Sequence, residues 1–436
     1  MTRVLLIGCG DLADEVAAAL DAQSADVVRL EEPDECDVRD ALAPGDRDRV
    51  TVVAHEDAIA LRMALMVRYE DHEIPLLVTL SNSTAAAQLR EADPHVEITS
   101  MAEIVAPSLA GPCAGADLVA VHERESGPVA VRTDGESVHE EPFVAPDHGN
   151  RVLGLLTALA RPYDKSAALL VYGFVGLLSV LAAETIGAVV VLDQGAIDAF
   201  YGATKTLVTV DPNDGVAKGP PGFKLFTSVA MLCALFFEAL FTAGIVNRLI
   251  DRRLTGWFGS RAVPRAHHVV VVGLSTVGLR LCQLLRAVGV RVVAVADQEG
   301  GEDVGIARDA GIPVVIGRGA DPSLLRRLSL DKACALAAVT SDDLENLSIA
   351  MAARSIDPDL RIVLRAGDGR LANETRSLLS FGVVRDVHQI AATLLAARST
   401  GSPARAVLCH EDEAHLVHED GSLERAAILG TDEAPG

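Results

Sequence analysis

His267 to Gln298 reads HHVVVVGLSTVGLRLCQLLRAVGVRVVAVADQ, which parses as strand, glycine turn, helix and strand. Four consecutive valines suit a strand of a parallel sheet buried on both faces. Ending that strand at Gly273, with Gly278 at the start of the helix, lets a phosphate approach backbone N–H groups and the positive helix end. Asp297 lies 24 residues after Gly273, at the end of the second strand, where a carboxylate accepts hydrogen bonds from ribose hydroxyls. The middle glycine of the pattern G-x-G-x-x-G is Ser275, which adds a side chain beside the pyrophosphate position. The segment predicts a Rossmann-type α/β domain.

The N-terminus repeats the plan. VLLIGCGDLADEVAAAL supplies Gly8, Gly10 and Ala13, and Glu31 or Glu32 falls at the end of the second strand. The opening MTRVLLIGCGD lacks a cleavage-site pattern and enters a glycine turn, so it reads as a first strand and not a signal peptide. Val53 to Arg68 aligns without a gap with Val339 to Arg354 at an offset of 286, whereas the glycine motifs are offset by 265. The first copy therefore lacks 21 residues, corresponding to GIARDAGIPVVIGRG, a helix and a strand of the second. A site without that neighbouring unit holds nucleotide poorly, so the first copy is expected to be mainly structural.

Between the copies lie two long apolar runs. Ala167 to Leu192 carries one charge, Glu184, and spans about 39 Å as a helix, enough for a bilayer core of about 30 Å. Leu225 to Val246 also carries one, Glu238. Both runs are expected to cross a membrane. Basic residues flank them outside, Arg151, Arg161 and Lys165 before and Arg248, Arg252, Arg253, Arg261 and Arg265 after, so both termini are expected in the cytoplasm. RVLGLLTALARP, stopped by Pro162, reads either as a helix along the inner membrane surface or as an ordinary lead-in. Glu238, costly in a span unless it faces water or a partner, is expected either to line a cavity or to donate a hydrogen bond between helices. Glu184 is expected to reach the outer interface.

Composition narrows the partners. Of 436 residues, 50% are hydrophobic but only 3% aromatic, so Ala, Val and Leu supply the apolar mass. The net charge of −23 excludes a nucleic-acid surface, which needs basic groups to replace counterions, and leaves either cation attraction or simple solubility. Seven dispersed cysteines with no CxxC pair read as reduced and mostly buried, with no zinc site or disulfide framework. No His, Tyr-x-x-x-Lys or Cys constellation follows either glycine motif, so no catalytic residues, and no enzyme, are expected.

VVVVGLSTVG, Asp297 and the stretch GRGADPSLLRRLSLDKACALAAVTSDDLENLSIAMAAR together resemble the RCK domains, also called TrkA-N or KTN domains, of bacterial potassium channels and transporters. The resemblance covers Val269 to Arg398 well and the first 110 residues more loosely. It implies NAD(H) or an adenine nucleotide as regulatory ligand, lined by Gly273, Ser275, Gly278 and Asp297, with Thr340 and Ser341 at its edge. Arg318 stands where the family usually has an acidic residue, and a cation there meets a phosphate. The weaker N-terminal set is Gly8, Gly10, Ala13 and Glu31.

AFYGATKTLVTV, between the apolar runs, resembles the pore helix and filter entry of potassium channels, with Thr206, Thr209 and Val210 in register. The filter differs: Asp211, Pro212, Asn213 and Asp214 replace G-Y-G-D. Pro212 fixes its own φ and restricts Asp211, so a carbonyl-lined potassium filter is not expected. A ring of Asp211 with Asn213 and Asp214 attracts hydrated cations instead, a pattern similar to the plant nuclear-envelope channels of the CASTOR and POLLUX type. An ordinary acidic turn is the alternative.

The expected architecture is two α/β Rossmann-type RCK domains flanking an all-α two-helix transmembrane pore module. In order these are a trimmed RCK-like domain (1–115), a linker or small β element (116–150), an interfacial helix (151–165), a first span (166–192), a pore loop (193–222), a second span (223–250), a gating linker (251–266), a C-terminal RCK domain (267–400) and a tail (401–436). The expected protein is a nucleotide-regulated cation channel subunit of the inner or plasma membrane, homotetrameric through an RCK ring, with lipid and inorganic cations as further partners. Pore residues would be Thr206, Thr209, Val210, Asp211, Asn213, Asp214 and Glu238. A non-conducting regulatory subunit is the alternative, with a membrane-tethered NAD-dependent oxidoreductase third.

Overall fold

The structure, a computed structural model, describes residues 2–145, 165–208, 215–250, 264–367, 382–410, 413–418 and 422–426, apart from positions 44, 46, 55, 125–126, 134–137 and 265. It divides into two compact units, one of residues 1–148 with 264–436 and one of 149–263.

In the first unit the N-terminal half runs β1 (Arg3–Ile7), α1 (Asp11–Ala22), β2 (Asp26–Leu30), α2 (Glu35–Leu42), β3 (Arg49–Val52), α3 (Asp57–Glu70), β4 (Leu76–Thr79), α4 (Ser83–Ala92), β5 (Val96–Thr99) and α5 (Met101–Ala114). An antiparallel meander follows, β6 (Leu118–Arg124), β7 (Gly127–Thr133) and β8 (Val138–Pro142). The parallel sheet has the order β2-β1-β3-β4-β5. Leu76 to Val78 are at most 1% exposed because helices cover both faces.

The second unit holds α6 (Lys165–Leu192), α7 (Ala196–Leu207) and α8 (Pro221–Ile250). Two stretches within it, Leu169–Leu192 and Pro221–Val246, are long and apolar enough to cross a membrane, and most of their residues are not buried. Helices α6 and α8 pack closely at glycines: a Cβ on Gly173 would come within 2.6 Å of the Phe241 backbone N, and one on Gly244 within 2.8 Å of the Leu170 N. Small residues at such contacts are how helices associate where lipid removes the hydrophobic drive. The short α7 buries Ala199, Gly202, Ala203 and Thr206 and exposes Ile197, Phe200 and Tyr201.

The C-terminal half of the first unit runs β9 (His268–Val272), α9 (Thr276–Ala287), β10 (Arg291–Ala296), α10 (Glu302–Asp309), β11 (Val314–Ile316), α11 (Pro322–Arg327), β12 (Ala335–Ala338), α12 (Asp343–Arg354), β13 (Arg361–Ala366), β14 (Val383–Asp386) and α13 (Val387–Ser399). Its parallel sheet has the order β11-β10-β9-β12-β13-β14. Strand β11, from the stretch without an N-terminal counterpart, extends one edge of the sheet. Residues beyond 401 are not the plain tail that their length suggested. They form a second meander, β15 (Ala404–His410), β16 (Glu413–His418) and β17 (Leu423–Ala426), and β15 stands 286 residues after β6.

The two halves interlock. Helix α1 packs on α13 and α9 packs on α5, so each half's first helix meets the other half's last. Leu109, Val105 and Cys113 of α5 share one core with Leu281 and Leu285 of α9 and Leu395 of α13. Helix α5 therefore buries ten of its fourteen residues. Buried polar groups stitch the contact: the Thr51 and Ser399 hydroxyls lie 2.6 Å apart, and Ser108 Oγ donates to Val407 O at 3.2 Å. Arg361 Nη1 donates to Pro112 O at 3.0 Å. The meanders meet through Val119, Ala120, Val131, Leu408 and Val417. All seven cysteines are free, and only Cys113, Cys282 and Cys409 are buried, fewer than composition suggested, because Cys9 and Cys36 fall on exposed turns and helix starts. Burial pushes the Cys113 thiol up to about 12, which leaves it inert.

Candidate functional site

The C-terminal ends of β9 and β12 are the point where the strand order reverses, and there an open α/β sheet leaves a crevice. Gly273 ends β9 with φ +99°, a left-handed conformation that disfavours other residues, and its N–H donates to Val295 O at 3.0 Å. A Cβ there would lie 2.5 Å from the Thr340 N, so the glycine turn and the β12 turn touch. A Cβ on Gly278 would overlap Gly273 O. Helix α9 is thereby held tight against the turn.

Ser275 is the N-cap of α9, yet its hydroxyl makes no capping bond, and its Oγ is buried without a partner. A buried hydroxyl without a partner is costly, and a ligand acceptor would satisfy it. The first turn of α9 carries no acidic residue, so its N–H groups and positive helix end are unopposed. Asp297 and Arg318 are exposed just beyond the paired ends of β10 and β11, where Ala296 faces Ile316. A carboxylate and a guanidinium thus stand at neighbouring strand ends, and Ser341 is exposed beside Thr340. These residues fit a nucleotide with its phosphates at the glycine turn.

Asn346 and Arg365 belong to this site and were not singled out from the sequence. Asn346, 1% exposed, accepts from Thr340 N and from Thr340 Oγ1 through Oδ1, both at 2.9 Å. Its Nδ2 donates to Thr340 O at 3.1 Å and to Arg365 O at 3.0 Å. Arg365 Nη1 also donates to Thr340 O at 3.1 Å, while its Nε is buried without a partner. Burial lowers the pKa of this guanidinium, and the Asp343 carboxylate opposes the shift. The Thr340 turn is fixed from below by this knot. The available signal was an amide side chain on the apolar stripe of α12, in helical register with Ile349, Ala350 and Ala353.

The N-terminal turn differs in charge. Gly10, φ +87°, is the N-cap of α1, Ala13 is buried, and a Cβ on Gly8 would overlap Val53 O. The backbone plan is shared, but Asp11 and Asp14 occupy the first turn of α1. Arg29 Nη2 pairs with Asp14 at 2.6 Å and lies 3.9 Å from Glu31. Burial and the neighbouring Asp386 raise the Glu15 carboxyl pKa, since this end of α1 meets the start of α13.

In the second unit Thr206 is buried, its Oγ1 donating to Gly202 O at 3.2 Å. Lys205 Nζ stands 6.0 Å from the Tyr201 ring centroid. Glu238 is exposed on α8. Glu184 does not reach the interface as expected: it is 1% exposed and faces Thr227 of α8 across the helix contact. Thr209, Val210, Asp211, Asn213 and Asp214 lie outside the described residues, as do the segment 151–164 and nearly all of the linker 251–266. Among the described residues no group of His, Cys, Asp and Glu is placed to hold a metal ion.

A family model for the TrkA-N domain matches residues 269–383, which contain the whole glycine-turn site. Among curated proteins the chain is similar to the voltage-gated potassium channel Kch of Escherichia coli, 21% identical over 226 residues, covering 49% of this chain and 54% of the relative. It is also similar to potassium channel protein 1 of Methanocaldococcus jannaschii, 21% identical over 199 residues, covering 44% and 60%. The chain spans about half the length of these relatives. Among solved structures, the GsuK channel bound to NAD aligns with a TM-score of 0.49 at 14% identity, over 91% of this chain and 63% of that one.

Proposed function

We propose that the chain is a subunit of a nucleotide-regulated cation channel in the inner or plasma membrane, with its C-terminal half as the sensor. The observation that carries this reading is a glycine-turn site within a TrkA-N match, joined in one chain to an apolar helix hairpin that holds a short helix between its arms. The potassium-channel names of the curated relatives support it, over somewhat less than half of the chain.

The regulatory ligand is NAD(H) or an adenine nucleotide. Gly273 and Gly278 admit a phosphate to the α9 N-terminus, Ser275 Oγ donates to it, Asp297 takes ribose hydroxyls and Arg318 meets a further phosphate. The N-terminal half acts in assembly, because Asp11 and Asp14 repel phosphate where α9 has no acid. The basic residues that flank the hairpin on its outer ends put both ends on the cytoplasmic side.

Two helices enclose no pathway, so four copies form the pore. Asp211, Asn213, Asp214 and Glu238 then concentrate hydrated cations, and Pro212 excludes a potassium filter of stacked carbonyls. Ligand at α9 moves the core that α9 shares with α5, and residues 251–265 pass the movement to α8. The test is cation flux into liposomes containing the purified protein, with NADH or ADP titrated. Nucleotide-dependent flux from a tetramer is the expected result, and a monomer that passes no cation with either ligand rejects the reading.

Pro212 and the missing filter glycines also favour a second reading, a non-conducting regulatory subunit. Under that reading Asp211→Ala and Glu238→Ala leave cellular cation content unchanged.

A further inference from the structure

Glu184 lies about two turns before the end of α6. Its Oε2 accepts from Thr227 Oγ1 at 3.5 Å, a long bond, and its Oε1 is buried with no partner. Thr227 is itself 2% exposed. One turn along α6 on either side, Val180 and Ala188 are buried against α8, Val180 with Ala230 and Ala234 and Ala188 with Phe223. The carboxyl is therefore closed above and below by apolar packing. Among the described residues no cation pairs with it. From α8 the facing polar group is Thr227, with Lys224 exposed one turn earlier. From α7, Asp198 is exposed and Lys205 leans on Tyr201.

An ionised carboxylate enclosed this way, with one oxygen unsatisfied, costs several kcal/mol. A bound proton removes the charge and leaves a neutral group that the Thr227 hydroxyl can still reach. We propose that the Glu184 carboxyl, with Thr227, is an intramembrane proton-binding site, occupied near neutral pH, with the proton on Oε1. Release of the proton places a bare charge between α6 and α8 and favours their separation, so occupancy is linked to the packing of the hairpin. The site is distinct from Glu238, which faces outward, and rests on the reading that the hairpin lies in a membrane.

The experiment uses the full chain in lipid vesicles. Infrared difference spectra between neutral and alkaline pH are expected to contain a protonated-carboxyl C=O band that shifts in deuterium oxide and is lost in Glu184→Gln. A second measurement needs no variant. N,N′-dicyclohexylcarbodiimide takes the acid proton onto its nitrogen while the carboxylate oxygen adds to its central carbon, and rearrangement leaves an N-acylurea that mass spectrometry locates on the Glu184 peptide. Labelling is expected to fall as pH rises. Absence of the band near neutral pH in the wild type overturns the proposal, as does adduct found on Glu238 alone. Extraction by alkaline carbonate separates the two readings: a chain released from the vesicles refutes the membrane placement, whereas a retained chain lacking the band refutes the proton site alone.

Discussion

Gly8 and Gly273 end the first strands of two parallel sheets that share a plan, yet the helices that follow them present opposite chemistry to a ligand. Helix α9 starts with an uncapped, acid-free turn and a buried hydroxyl that has no partner. Helix α1 starts with Asp11 and Asp14, and Arg29 is already held by Asp14 at 2.6 Å. A phosphate brought to α9 finds a positive helix end. At α1 it meets two carboxylates. Backbone shape thus persists where ligand chemistry has changed, because the glycines are needed for helix and strand to pack at all, while the first-turn residues are free to vary.

That contrast can be broken at the backbone. Gly278→Val puts a branched side chain where even a Cβ overlaps Gly273 O, so it is expected to abolish nucleotide binding and to destabilise the C-terminal half by about 1–3 kcal/mol. Calorimetric nucleotide titration and thermal unfolding of the purified full chain check both effects. A variant that binds like wild type would mean that the ligand does not use this turn. Asp297→Asn keeps the shape but weakens the acceptor for ribose hydroxyls, and a loss of about tenfold in affinity is expected, roughly 1.4 kcal/mol. The same titration reads it, and an unchanged affinity would place the ribose elsewhere. The smallest effect belongs to the other half: Asp14→Asn removes the Arg29 partner yet is expected to change nucleotide affinity by less than about twofold, the surface pair being worth at most about 1 kcal/mol. A larger change would mean that the N-terminal turn binds ligand after all.

Much of this site was legible in the residues. A valine run ending in glycine announces β9 and its turn, and the next apolar run places Asp297 at a strand end, since both follow from short-range periodicity. Asn346 and Arg365 escaped notice because their importance lies in bonds to the Thr340 backbone. The helix period sets Asn346 in line with Ile349, Ala350 and Ala353, but it does not show which backbone groups a buried amide there would meet. Glu184 was noticed but misplaced for a related reason: distance along the helix suggested an outer position, whereas its facing direction is set by contact with Thr227, 43 residues away. Exposed cysteines were missed similarly, since composition says nothing of which face of α2 carries Cys36.

The sequence by itself determined the two glycine turns, the two apolar helices and the acidity of α1, because each is a local property of neighbouring side chains. Only the tertiary structure decided that the halves interlock, α1 on α13 and α9 on α5, across an intervening hairpin. Contacts such as Thr51 with Ser399, 348 residues apart, leave no periodic mark in the chain. They arise because each half's last helix is apolar on nearly every side and packs on the other half, α5 on α9 and β13 and α13 on α1 and β3.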